Sequence, residues 1–197
     1  MKKLVLVLFA GITVASANAQ VQFGVKAGGN FATQTGSDAG DSRTLFGFNA
    51  GVFLKLAIQR GVSVQPELVY SGQGARYDVG GVTSSYHANY LNIPILLKFS
   101  HGSGAYFETG PQFGFLTSAS VHQGGNSTDD KNSYHSSDLA WVFGIGYKIP
   151  QSPVGIDFRY NVGLTNVEDR EFTGEHGSVR NDVLQLGITY VLFNSRR

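Results

Sequence analysis

From Val21 onward the chain alternates apolar and polar residues with a period of two. Val21, Phe23, Val25 and Ala27 alternate with Gln22, Gly24, Lys26 and Gly28. Seven further runs of the same kind follow, over 46–56, 62–71, 91–99, 107–115, 139–148, 154–162 and 184–192. The second is interrupted at Phe53, where an apolar residue falls on the polar side. Strict alternation over such lengths predicts β-strands with one apolar face. The fold class it predicts is all-β, with eight strands.

The connections alternate as well. Gln59-Arg60-Gly61, the segment around 101–104 and Pro150-Gln151-Ser152-Pro153 are short turns. Residues 31–45, 71–86, 117–138 and 165–182 are long and rich in Gly, Ser, Asn and Asp, which predicts polar loops. Short turns at one end and long loops at the other predict an antiparallel up-and-down transmembrane β-barrel, with the turns in the periplasm. An even strand number brings both termini to the short-turn end. No linker or composition shift interrupts 20–197, so one domain is expected there.

Charge decides which face meets lipid. Charged residues are 15% of the chain, against roughly 25% in an ordinary soluble domain. Each apolar face is long and aromatic, while each opposite face carries about one charge among glycines. The outside of a soluble barrel would be dense in Lys and Glu. A narrow lumen suits isolated charges with space left beside them, and barrel closure pairs every backbone group within the membrane. The inward charges are Lys26, Lys55, Glu67, Lys98, Glu108, Lys148, Asp157 and Arg159. Hairpin register estimated from the turns places Glu108 beside Lys148, with Asp157 and Arg159 two apart on one face. Charges in a low-dielectric lumen must pair or be hydrated. A salt-bridged structural plug is therefore expected; the other reading is an ion path or gate.

Aromatic residues fall into two bands on the lipid face. Phe23, Phe99, Phe107, Tyr147 and Tyr190 lie toward the short turns. Phe46, Phe48, Tyr70, Phe115 and Trp141 lie toward the long connections. Two girdles at headgroup level are expected of a membrane barrel.

The first nineteen residues read as an address. Lys2 and Lys3 precede an apolar stretch from Leu4 to Ala15, and Ala17 and Ala19 form a small-x-small site before Gln20. This is a secretory signal over 1–19, and losing its two lysines takes the net charge from +1 to −1. Such a balance offers no basic footprint for nucleic acid. The absence of Cys excludes disulfides, thiolate metal sites and Cys nucleophiles.

Several fragments resemble a known family. They are Phe23-Gly24-Val25-Lys26-Ala27-Gly28, Gln65-Pro66-Glu67-Leu68-Val69-Tyr70-Ser71, and Tyr90-Leu91-Asn92-Ile93-Pro94-Ile95-Leu96-Leu97-Lys98. Thr109-Gly110-Pro111, Arg159-Tyr160-Asn161-Val162-Gly163-Leu164-Thr165-Asn166 and Leu186-Gly187-Ile188-Thr189-Tyr190 complete the set. In order and spacing they resemble the porin-like, PorT-like outer-membrane β-barrel family of Bacteroidetes, over essentially all of the mature chain. The resemblance implies an eight-stranded barrel of OmpA/OmpX-like architecture in the bacterial outer membrane. It implies little about activity, though one branch of the family is tied to type IX protein secretion. Such barrels often end on an aromatic residue, whereas here Asn194-Ser195-Arg196-Arg197 follows Phe193.

Catalytic and cofactor signals are sparse. His87, His122, His135 and His176 lie in or beside the long connections, and His101 lies in a short turn. No pair has the i, i+4 spacing of a metal-binding helix. His135 and Ser137, or Ser85 and His87, share a face if the strands extend that far, as a His–Ser pair of a lipid hydrolase would, with Asp138 or Glu168 as the orienting carboxylate. The long connections hold Asp38, Asp41, Asp78, Asp129, Asp130, Asp138, Glu168, Asp169, Glu171, Glu175 and Asp182. Against them stand Arg43, Arg76, Lys131, Arg170 and Arg180, a net charge of −6. Divalent cations could bridge such a crown to lipopolysaccharide, or it could meet a basic partner. The expectation is a non-enzymatic barrel with no cofactor and no metal. Its expected contacts are outer-membrane lipid, lipopolysaccharide and a surface or secretion-system protein. The alternatives are a lipid-modifying barrel enzyme and a soluble, lipocalin-like periplasmic carrier.

Overall fold

A computed structural model describes residues 20–36, 42–79, 82–123, 126–129, 135–166 and 179–195. The secretory signal expected over 1–19 lies outside them. The strands are β1 (Val21–Thr35), β2 (Arg43–Gln59), β3 (Val62–Val79), β4 (Val82–Ser100) and β5 (Ala105–Gln123). They continue with β6 (Asn126–Asp129), β7 (Ser137–Lys148), β8 (Val154–Gly163) and β9 (Arg180–Asn194). The eight long strands close a ring in the order β1-β2-β3-β4-β5-β7-β8-β9, all neighbours antiparallel, with β9 returning to β1. The short β6 folds back on the end of β5. Closure pairs Phe23 with Phe193, so both ends of the ring lie beside the short turns.

Burial is inverted relative to a water-soluble barrel. Leu68, Tyr70, Ile95, Phe113, Phe143, Ile145, Phe158, Leu186 and Ile188 face outward and exposed. Lys26, Glu67, Lys98, Glu108, Asp157, Arg159 and a set of Asn and Gln side chains are buried inside. The alternation built this directly, because a period of two assigns successive side chains to opposite faces. A soluble carrier would carry the reverse polarity.

The long connections are shorter than the polar composition predicts. β1 runs to Thr35, β3 to Val79, β4 starts at Val82 and β5 runs to Gln123. Most of 31–45, 71–86 and 117–123 is therefore strand. Backbone pairing needs no apolar side chains, and once a strand rises above the lipid its outer face meets water instead. The alternation then fades while the ladder continues. Bulges also shift parity. Asn89 pairs Ser118 but Tyr90 pairs Leu116, so Thr117 and Ser118 are both exposed and the inward set moves from Leu116 to Ala119. A second shift near Phe23 leaves both Leu192 and Phe193 facing outward.

Candidate functional site

The lumen is where the chain concentrates its chemistry. At its centre is a closed network of six charges. Arg159 of β8 forks onto Glu67 of β3, donating from Nη1 to Oε2 at 2.8 Å and from Nη2 to Oε1 at 2.7 Å. Its Nε donates to Oε1 of Glu108 on β5 at 2.6 Å. Lys98 of β4 meets the other oxygen of Glu108 at 3.2 Å. Lys26 of β1 lies 3.5 Å from Glu67 and 3.6 Å from Asp157. Asp157 completes the set at 3.5 Å from Arg159. Three cations and three carboxylates from five strands balance to zero.

This neutrality is what permits burial. A lone charge in a low-dielectric interior is costly, and a bidentate Arg–carboxylate pair is among the stronger compensations. Arg suits the hub because its planar fork donates in several directions at once. Gln65 adds a donor to Glu67 at 2.7 Å, and the Lys98 ammonium sits 3.4 Å above the Tyr106 ring. Glycines make the space. A Cβ on Gly144 would lie 2.9 Å from Glu108 Cγ and 3.1 Å from Arg159 Cγ, and one on Gly187 would lie 3.0 Å from the Asp157 carboxylate. The sites of Gly24 and Gly146 are likewise taken by the rings of Phe53 and Tyr106. Phe53, the break in the alternation, is thus a lumen filler.

Above the charges lies an amide layer. Asn30 accepts from Asn49 at 2.6 Å and from Gln185 at 3.0 Å, and donates to Ser71 at 2.9 Å and to the Gly72 carbonyl at 2.8 Å. Higher still, Tyr77 donates to Gln34, and Asn181 donates to Tyr90 at 3.3 Å. Tyr86, Ala88, Tyr90, Leu116 and Ala119 pack together there as a small apolar cluster. Sequence reasoning singled out none of these layers. Their signal was present as the inward parity of Asn30, Gln34, Asn49 and Gln185.

Two predicted lumen charges stand apart from the network. Glu108 pairs across the ladder with Gly144 and Lys98, not beside Lys148. The register of β5 with β7 is set across a long connection, which turn-based reasoning could not count. Lys148 instead donates to the Ser152 carbonyl within its own turn. Lys55 faces the lumen mouth at the short-turn end with Gln22 opposite.

The predicted girdle aromatics all face outward. Phe99 stacks on Phe107 with centroids 6.4 Å apart, and Phe46 meets Phe31 and Phe48 edge-on. The two-band picture is too clean, however. Phe113, Phe143 and Phe158 also face outward. Trp141 pairs with Pro111, four residues nearer the turns than Phe115, and its indole donates to Thr109 at 2.9 Å.

The polar candidates of the far end are partly tied into the wall. Asp138, the second residue of β7, accepts the Thr165 hydroxyl at 2.6 Å, while His135 and Ser137 are exposed. Asp182 belongs to β9, where it accepts from Thr35, Tyr160 and the Gly163 amide. Asp38, Asp41, Asp130, Lys131, Glu168, Asp169, Arg170, Glu171, Glu175 and His176 lie outside the described residues. Among the described residues no group of three His, Asp or Glu could hold a metal ion.

A family model described as outer membrane protein beta-barrel domain matches residues 15–169. No curated protein matches the chain. Among solved structures, it is similar to Neisserial surface protein A, at 17% identity and a TM-score of 0.55, covering 88% of this chain and 98% of that one. It is also similar to Ail, the attachment invasion locus protein of Yersinia pestis, solved in complex with the heparin analogue sucrose octasulfate. There the identity is 14% and the TM-score 0.50, covering 88% of this chain and 99% of that one. Both likenesses concern the fold.

Proposed function

This chain belongs to the outer membrane protein beta-barrel domain family, and from that premise we propose that it is a non-enzymatic structural or interaction protein of the bacterial cell surface. The observation that carries this reading is the filled lumen. Six charges from five strands meet in one neutral network, and an amide layer and a tyrosine cluster lie above it. Eight strands leave an interior about wide enough for side chains alone. Function then belongs to the ends and the outer surface of the barrel. Both termini and all short turns face the periplasm in this reading, and the long hairpins face outward.

The fragment resemblance noted above supports a place in the porin-like branch found in Bacteroidetes. The acid-rich long connections support a cation-bridged contact with lipopolysaccharide, or a basic segment of a surface or secretion-system protein. They do not favour the polyanionic kind of ligand with which Ail was solved. Neutralising Asp129, Asp130 and Glu171 together lowers calcium binding to intact cells if the bridging is real; unchanged binding removes it.

The test of the main reading is single-channel recording. The mature chain, refolded and inserted into a planar lipid bilayer, gives no steady conductance step. A reproducible open channel from the wild-type chain would overturn the structural reading in favour of a pore.

A further inference from the structure

We infer that the short-turn mouth of the barrel is a binding site for a small oxyanion, a phosphate or carboxylate group, held by Lys55 and Lys148. Three independent observations converge on it. The first is space. A cavity of about 250 Å³ opens between the turns at this end, lined by Lys55, Lys98 and Lys148 with Gln22, Gln65 and His101. The second is local charge. Lys98 is matched by Glu108 within the neutral network, whereas Lys55 and Lys148 have no carboxylate within ion-pair distance among the described residues. Among the described residues the lumen therefore carries two uncompensated cations, both at one mouth.

The third is the distribution of acids along the whole chain. Of the acidic side chains, Glu67, Glu108 and Asp157 are consumed by the network. All the others fall in the sequence stretches 31–45, 71–86, 117–138 and 165–182. Among the described residues no acidic side chain lines this mouth, and Arg60 in the turn between β2 and β3 adds a further positive charge. A concave surface lined by one sign of charge, with low-dielectric walls, focuses its field on an ion of the opposite sign. Amide and imidazole groups beside the lysines supply the remaining hydrogen-bond donors. The Ser152 carbonyl fixes one proton of the Lys148 ammonium at the rim, and the ammonium has two more to give.

The experiment is a calorimetric titration of the full mature chain, refolded in zwitterionic detergent, with inorganic phosphate at low ionic strength. Saturable binding is expected, weakened about tenfold or more in Lys55→Gln and in Lys148→Gln, a loss of one charge-assisted contact. Arg43→Gln, at the opposite end of the wall, binds as the wild type does. Gel mobility before and after boiling checks that each variant is folded. Absence of binding, or equal binding by wild type and both lysine variants, overturns the inference. Repeating the titration in nanodiscs separates the sources of the anion. Phosphate binding that weakens when phosphatidylglycerol replaces phosphatidylcholine makes the occupant a lipid headgroup. Binding equal in both makes it a free solute. Either result carries the site.

Discussion

Arg159 holds the centre of the barrel, and the prediction about it follows from what its loss would leave behind. Truncation to Ala strands Glu67 and Glu108 with Lys26 and Lys98 as their remaining counter-charges. Breaking a buried pair by removing one partner costs about 3–5 kcal/mol. Arg159→Ala is therefore expected to lower the urea midpoint of the barrel refolded in neutral lipid vesicles by a corresponding amount. Arg159→Lys keeps the charge but loses the fork onto Glu67, and is expected to cost about 1–3 kcal/mol. If Ala and Lys behave alike, geometry rather than charge carries the hub. The adjoining glycine gives an orthogonal check. Gly144→Ala places a methyl 2.9 Å from Glu108 Cγ and 3.1 Å from Arg159 Cγ. It should cost about 1–3 kcal/mol by overpacking alone. An unchanged midpoint would mean that the network shifts freely, contrary to a packed lumen.

At the scale of elements, the strands were legible because a period of two survives wherever one face meets lipid and the other the lumen. Glu67, Lys98, Asp157 and Arg159 could be assigned inward from that parity alone. Three things were not legible. Strand ends above the lipid carry polar residues on both faces, so β3 and β4 looked like a loop around Val79 and Val82. Bulges change parity without a sequence mark, as at Thr117 and Ser118. Pairing across a long connection has no countable register, which is why Glu108 was matched with Lys148 instead of Lys98 and Arg159. The turns themselves separate in a testable way. Gly61 holds φ at +79° between β2 and β3, a conformation that costs a side chain about 1–2 kcal/mol. Gly102, between β4 and β5, has open space where a Cβ would go and no positive φ. Gly61→Ala should lower the unfolding midpoint, while Gly102→Ala should leave it within about 0.5 kcal/mol. Equal effects would mean that turn conformation is not what closes these hairpins.

The whole molecule is polarised along its axis. Among the described residues, Asp138 and Asp182 lie toward the long hairpins and Lys55 and Lys148 toward the short turns, with a neutral network between them. Around that axis runs an apolar outer face that water would not tolerate. Neighbouring strands pair all the way round the wall only while the ring stays closed, so opening it in lipid exposes many unsatisfied groups at once. Unfolding should therefore be a single cooperative event that detergent alone does not trigger. Extracted in SDS without boiling, the mature chain is expected to run as a compact species, and boiling should convert it to a slower band over a narrow temperature range. The network makes a further demand on the same gel. Arg159→Ala should keep the compact band, because the apolar face and the ladder remain, but convert at a lower temperature than the wild type. A variant that shows no compact band at all would place the charge network in the assembly of the ring rather than in its stability. A conversion temperature equal to the wild type would show that the lumen plays no part in holding the wall closed.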